Sequence, residues 1–313
     1  MGKLHIVGGG AIGSLIAASA HKNDVPYDCY PRNIRAMPAC AQWQDGQSIE
    51  LKAAMPAPVV LEKCDVLILP LKVYQLNAAL KQWLPYLNQK PTVVLMHNGM
   101  GGLEVARNLL GGDYPLLLAT TSHGALKEST SSGDFQVKYT GLGATQIGAP
   151  NLAESVPQKL ADLLQVAPQL ANAIATLDSA LPPVQYRSDI LKALWTKLSV
   201  NAVINPLTAL HDIQNKHIAD AEFEQTRSAI CHEFTVVANA YGFDFDEDEV
   251  LKNVLSVAKA TGENYSSMHQ DIAHGRQTEI DAINGYIVEM AKKKGIPVPE
   301  NTLLVERVKA LRL

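Results

Sequence analysis

The stretch Leu4-His5-Ile6-Val7-Gly8-Gly9-Gly10-Ala11-Ile12-Gly13 decides how the first half of this chain is read. Four residues of strand-forming character run directly into G-x-G-x-x-G, and a helical pattern opens immediately behind it. In that context each glycine has a use. Gly8 permits a tight turn, Gly10 removes the side chain that would keep the backbone from a pyrophosphate, and Gly13 lets the helix lie close on its strand. With Gly9, Ala11 and Ile12 these residues form a candidate phosphate loop, and the helix start behind them offers N–H groups to an anion.

Outward from the loop, short β-type runs at 4–7, 27–30, 66–69, 92–96 and 116–120 alternate with helical patterns at 11–21 and 74–84. That order predicts an α/β domain on a parallel, Rossmann-type sheet. Shorter β pieces are expected at 47–51 and 59–61. Residues 135–140 and 145–147 read as an antiparallel addition across Gly141-Leu142-Gly143, and 158–175 as one helix. Beyond residue 188 the pattern turns helical, with helices expected at 189–204, 223–240, 247–259 and 279–293. The expected organisation is a dinucleotide-binding domain over 1–187 and an all-helical substrate and catalytic domain over 188–313.

Of the 313 residues, 47% are hydrophobic and 19% charged, a composition that excludes disorder and collagen. A formal net charge of -4 provides no global field for nucleic acid or anionic lipid. No apolar run approaches the roughly 20 residues of a membrane span. The four cysteines, Cys29, Cys40, Cys64 and Cys231, form no C-x-x-C pair and read as reduced thiols. The nine histidines make no metal-ligand pattern, and a cytoplasmic location is expected. Oligomeric state is not visible, since an apolar helical face serves a homodimer or an internal contact equally well.

Cofactor choice should be made about 20 residues past the glycines, where an acidic side chain would hold a ribose hydroxyl. Here the second strand ends in Tyr30-Pro31-Arg32. A guanidinium forks onto a phosphate, so Arg32 favours NADPH over NADH. Lys72 and Asn98, after the third and fourth main strands, stand where loops line a cofactor crevice. In the helical half, Lys197, Asn201 and Asn205 repeat at i, i+4 and i+8, which makes one stripe on a helix. Pro206 biases Asn205 away from the α region, so the helix is expected to end or kink there with Asn205 at an exposed rim. Ser266 and Ser267 could open a helix by capping, and Glu279 suits a helix start.

Taken together, G-x-G-x-x-G, His97-Asn98-Gly99, Trp195-x-Lys197 with Asn201 and Asn205-Pro206, and Ser266-Ser267-Met268 with Gln270-Asp271 resemble the ketopantoate reductase family. Thr278-Glu279-Ile280-Asp281 with Asn284-Gly285, and Pro297-Val298-Pro299-Glu300-Asn301-Thr302, extend the resemblance over nearly the whole chain. The resemblance implies NADPH-dependent reduction of 2-dehydropantoate to pantoate, on the route to pantothenate and coenzyme A. It implies Lys197 as general acid with Glu279 as its acidic partner, and Asn201, Asn205 and Ser267 as substrate contacts. Asn98 would face nicotinamide and substrate, and Arg32 and Lys72 the cofactor. Hydride chemistry resides in the cofactor and asks for no metal. Another 2-oxo acid as substrate is the nearest alternative; a non-enzymatic NADPH-binding sensor is a more distant one.

Overall fold

The computed structural model describes residues 2–129, 135–150 and 157–311. In chain order the first part carries β1 (Leu4–Val7), α1 (Ala11–Lys22), β2 (Tyr27–Tyr30), β3 (Cys40–Gln42), β4 (Ser48–Glu50), β5 (Val66–Leu69), α2 (Val73–Trp83), β6 (Thr92–Met96), α3 (Gly102–Leu110) and β7 (Leu116–Thr121). There follow β8 (Gly124–Ser129), β9 (Phe135–Gly141), β10 (Thr145–Gly148), α4 (Leu160–Val166), α5 (Pro168–Ala180) and β11 (Val184–Tyr186). The remainder is α6 (Ile190–His211), α7 (Glu224–Ala240), α8 (Glu247–Ala260), α9 (Ser267–Ala273), α10 (Asn284–Lys294) and α11 (Pro299–Ala310). Two compact units result: Met1–His97 with Gly102–Ile190, and Leu191–Leu313 with the short loop Asn98–Gly101.

The first unit is built on a seven-stranded sheet in the order β11-β10-β7-β6-β5-β1-β2, among the described residues. Strands β2, β1, β5, β6 and β7 are parallel, and their buried runs of Val, Ile and Leu suit a sheet covered on both faces. From β1 the chain pairs first with β2 on one side and then with β5 on the other, so the strand order reverses at the end of β1. In open α/β sheets a ligand crevice forms at such a reversal, and the glycine loop stands there.

A second sheet, β4-β3-β9-β8, lies across α1. Eight consecutive residues of α1, Gly13 to Ala20, are buried. A helix covered on one side only would bury a stripe; α1 is buried all round because it is packed by both sheets, and its Gly, Ala and Ser residues keep it thin enough to fit.

Several local expectations are corrected. β9 and β10 do not pair across Gly141-Leu142-Gly143: β9 joins the second sheet, and β10 runs antiparallel to β7 in the first. The helix expected at 158–175 is two helices, parted at Ala167 because Pro168 opens α5. Residues 59–61 form no strand; Leu61 is fully buried and its N–H donates to the Tyr86 carbonyl. Glu279 starts no α-helix but precedes a 3-10 turn, Ile280–Ala282, with α10 beginning afterwards. Among the described residues all four cysteines are free, and no helix is long and apolar enough to cross a membrane.

Candidate active site

In the first unit the glycine loop is fastened to its surroundings by backbone contacts that only small residues allow. Gly8 N–H donates to the Tyr30 carbonyl at 2.9 Å, joining the loop to the end of β2. A Cβ on Gly13 would stand 2.6 Å from the Gly8 carbonyl oxygen, so this glycine lets α1 close on β1. A Cβ on Gly9 would meet Pro31 and Met37 at 3.2 and 3.1 Å, which sets the segment after β2 against the loop. Gly10 differs from both. Nothing lies within 4 Å of where its Cβ would be, and as the first residue before α1 it has no side-chain cap. Open space over an uncapped helix start is what a diphosphate needs, so the loop fits a dinucleotide.

Arg32 stands two residues past β2, exposed, and Lys72 immediately before α2, where its N–H donates to Gln75 Oε1 at 3.1 Å. Leu71 packs against the position of a Gly8 Cβ, placing the segment that carries Lys72 beside the loop. A group not anticipated from the sequence also reaches it: Lys127 of β8 donates from Nζ to the Gly9 carbonyl at 2.9 Å. The signal for it was faint, because β8 itself shows little alternation.

In the second unit, α6 is continuous from Ile190 to His211 with Pro206 inside it, and Asn205 is only 5% exposed. The expected helix end and exposed rim are therefore wrong, and the cause is identifiable. Proline at 206 leaves the Ala202 carbonyl without its usual i+4 donor. Asn284 Nδ2 donates to that carbonyl at 2.9 Å, filling the gap from α10. Asn284 is held in turn: its Nδ2 also donates to Asn301 Oδ1 at 3.0 Å, and Asn301 Nδ2 donates to Glu233 Oε2 at 2.7 Å. The Glu233 carboxylate of α7 further accepts the N–H groups of Glu300 and Asn301 at 2.8 and 2.9 Å, capping α11. The Asn284-Gly285 and Pro299-Glu300-Asn301 motifs thus support the helix that carries Lys197.

With α6 unbroken, Lys197, Asn201 and Asn205 share one helix face, the first two partly buried. Burial lowers the Lys197 ammonium from the ordinary lysine range to about 8, against the opposing charge of Glu279. Glu279 is buried, and its carbonyl accepts the N–H groups of Ala282 and Ile283 at 2.9 and 3.0 Å. The Ala282 carbonyl accepts from Met100 N–H at 2.8 Å, which lashes the Asn98 loop to the turn after Glu279. Gly99 makes that approach feasible: its φ is +73°, and a Cβ would lie 2.5 Å from the Ala282 oxygen. On α9, Ser266 is the capping residue; its Oγ accepts from His269 N–H at 3.1 Å and from Thr208 Oγ1 at 2.7 Å. Ser267, the predicted contact, follows it and is exposed. The structure thus joins the segments bearing Lys197, Asn201, Asn205, Ser267, Glu279 and Asn98 within the second unit.

A phosphate-ready α/β unit followed by a helical unit holding a lysine of depressed pKa defines an oxidoreductase of two-unit build. Residues 4–151 match the family model described as ketopantoate reductase PanE/ApbA, and residues 189–312 its C-terminal counterpart. A 2-dehydropantoate 2-reductase of Vibrio cholerae serotype O1 is 36% identical over 314 residues, covering 98% of this chain and 96% of that protein. The crystal structure of a probable 2-dehydropantoate 2-reductase from Bacillus subtilis superposes with a TM-score of 0.75 at 26% identity, over 99% of each chain. D-mandelate dehydrogenase with NADH and anilino(oxo)acetate shares the fold, with a TM-score of 0.81 at 24% identity over 99% of this chain and 98% of its own. The chain belongs to the ketopantoate reductase family.

Proposed function

We propose that this protein is an NADPH-dependent 2-dehydropantoate 2-reductase that forms pantoate for pantothenate and coenzyme A synthesis, with Lys197 as general acid. The observation that carries this reading is Lys197 itself, an amine brought by burial to about 8 on a helix whose same face bears two carboxamides. An ordinary lysine holds its proton too tightly to release it near neutral pH; one near 8 is charged when the substrate arrives and able to give the proton up.

When bound, NADPH supplies a hydride to the carbonyl carbon. Negative charge then develops on the carbonyl oxygen, and the Lys197 ammonium stabilises that charge and transfers a proton to it. Glu279 keeps the ammonium from losing its proton prematurely, since its charge opposes the effect of burial. Asn201, Asn205 and Ser267 supply neutral donors for the substrate carboxylate and hydroxyl, and Asn98 serves substrate and nicotinamide. In the first unit the backbone of Gly8 to Gly13 receives the pyrophosphate, Arg32 the 2'-phosphate, and Lys72 the cofactor side of the crevice.

The test is oxidation of NADPH by the purified protein with 2-dehydropantoate, compared with smaller 2-oxo acids. The expected result is a clear preference for 2-dehydropantoate; a preference for another acid rejects the substrate. Because the acting form of Lys197 is the protonated one, reduction should hold steady below pH about 8 and fall as pH rises past it. A rate that climbs through that range would exclude the ammonium as the acid.

A further inference from the structure

We propose that the second unit carries a binding site for a small phosphate-bearing anion, built around Arg227. A cavity of about 510 Å³ is bounded by the 3-10 turn Asn215–Ala219, by α7 and by the end of α8 with the loop 261–264 that follows it, and Arg227, Lys216 and Lys259 all line it. Lys216 is already held by Glu263, both of whose carboxylate oxygens lie 3.1 Å from its Nζ. That pair is neutral as a whole, which leaves Arg227 and Lys259 as the excess positive charge. None of these residues belongs to the groups assigned to the reduction, so the inference stands apart from that reading.

Arg227 is the unusual member. It is only 9% exposed, and arginine is rarely buried that far unless it is paired. Its Nη1 donates to the Ile218 carbonyl at 3.1 Å and to the Asp220 carbonyl at 2.9 Å, both neutral acceptors. The Asp220 carboxylate is engaged by His217 Nδ1 at 2.9 Å. Among the described residues no carboxylate pairs with the guanidinium, and no acceptor meets Nε. With Nη1 fixed to the backbone, the remaining edge presents Nε–H and Nη2–H side by side, the fork that grips two oxygens of one anion. A carboxylate would fill that fork with a single charge; a phosphate, with up to about two charges and a third oxygen, can meet Lys259 as well. The carbonyls that end α8 are met without these cations. The Val257 carbonyl accepts the Thr261 N–H at 2.9 Å, the Thr261 carbonyl accepts from Asn215 Nδ2 at 3.3 Å, and the Gly262 carbonyl accepts the Lys216 N–H at 3.2 Å. The last two bonds also tie the 3-10 turn to the loop, so the walls are in place before a ligand arrives.

The experiment is isothermal titration calorimetry of the full-length protein in phosphate-free and sulfate-free buffer, with inorganic pyrophosphate in one arm and glycerol 3-phosphate in the other. The wild type should bind at least one of them saturably, and the tighter of the two tells whether the occupant is a free or an esterified phosphate. Arg227→Gln and Lys259→Gln should each raise its Kd about tenfold or more, the loss expected for one charged hydrogen bond. Gly10→Val, which obstructs the phosphate loop of the other unit, should keep this binding and so separates the two places an anion can sit. Binding lost in Gly10→Val but intact in the variants at 227 and 259 would put the anion on the glycine loop and overturn the proposal. A wild type that takes up neither anion would overturn it too, as would Arg227→Gln and Lys259→Gln proteins that bind as tightly as the wild type, which would leave Arg227 a brace for the Ile218 and Asp220 carbonyls. Should Arg227→Gln fail to fold, Lys259→Gln, at an exposed position, decides alone.

Discussion

Two helix starts in this molecule answer the same physical problem in opposite ways. The first N–H groups of any α-helix lack partners within it. At α11 the chain meets that need itself: the Glu233 carboxylate takes the N–H groups of Glu300 and Asn301. At α1 no side chain caps the start, and the space beside Gly10 is open. The first arrangement contributes to stability whether or not anything is bound. The second leaves stabilisation to be gained from a ligand. Capping from within marks architecture, and a bare start beside open space marks a place for an anion.

The largest effect expected lies away from both starts, at the lysine that α11 indirectly supports. Lys197→Ala should lower turnover by about 10²- to 10⁴-fold, the range for loss of a positioned acid, while dinucleotide affinity stays near normal. Turnover close to wild type would remove Lys197 from the chemistry. Glu233→Ala should cost about 3 kcal/mol of stability, because it strips a charged acceptor from several buried donors. Urea unfolding measures this, and dinucleotide affinity of the folded protein should not follow.

The contrast sharpens within one loop. Gly10→Val should weaken dinucleotide binding by about 10- to 100-fold, as a side chain enters the ligand's space, with little change in melting temperature. Gly13→Val should do the reverse, lowering the melting temperature first, because its new carbon meets the Gly8 carbonyl. If the two variants behave alike, the distinction between open and closed glycines fails. The smallest effect is one of discrimination: Arg32→Ala should weaken NADPH about tenfold and NADH hardly at all. Equal losses would dismiss the 2'-phosphate assignment.

The glycine loop was legible because everything it needs is contiguous: strand, turn and helix within ten residues of Leu4. The stripe Lys197-Asn201-Asn205 was legible for a similar reason, as helical spacing is local. Asn205 was misplaced because the proline rule is also local, and the group that overrides it, Asn284, bonds a carbonyl 82 residues away in sequence. Ser266 and Ser267 could not be assigned different duties from spacing alone; the Thr208 hydroxyl, from α6, decides which serine is tied down. Lys127 was missed because its bond to the Gly9 carbonyl depends on a sheet pairing, β8 on β9, that packs the strand over α1. Residues 59–61 show the converse: apolar character suggests a strand, whereas Leu61 is a buried plug tied by its N–H to the Tyr86 carbonyl.

The proline inside α6 has an implication for how such a sequence changes over generations. At Ala202 a backbone partner was replaced by one lent from a different helix, so positions 206 and 284 form a lock and its key. Losing the asparagine while the proline remains strands a carbonyl in the interior. Losing the proline first restores an ordinary amide and leaves the asparagine its bond to Asn301. Inheritance of the pair is thus directional: one order of substitution is open and the other is closed.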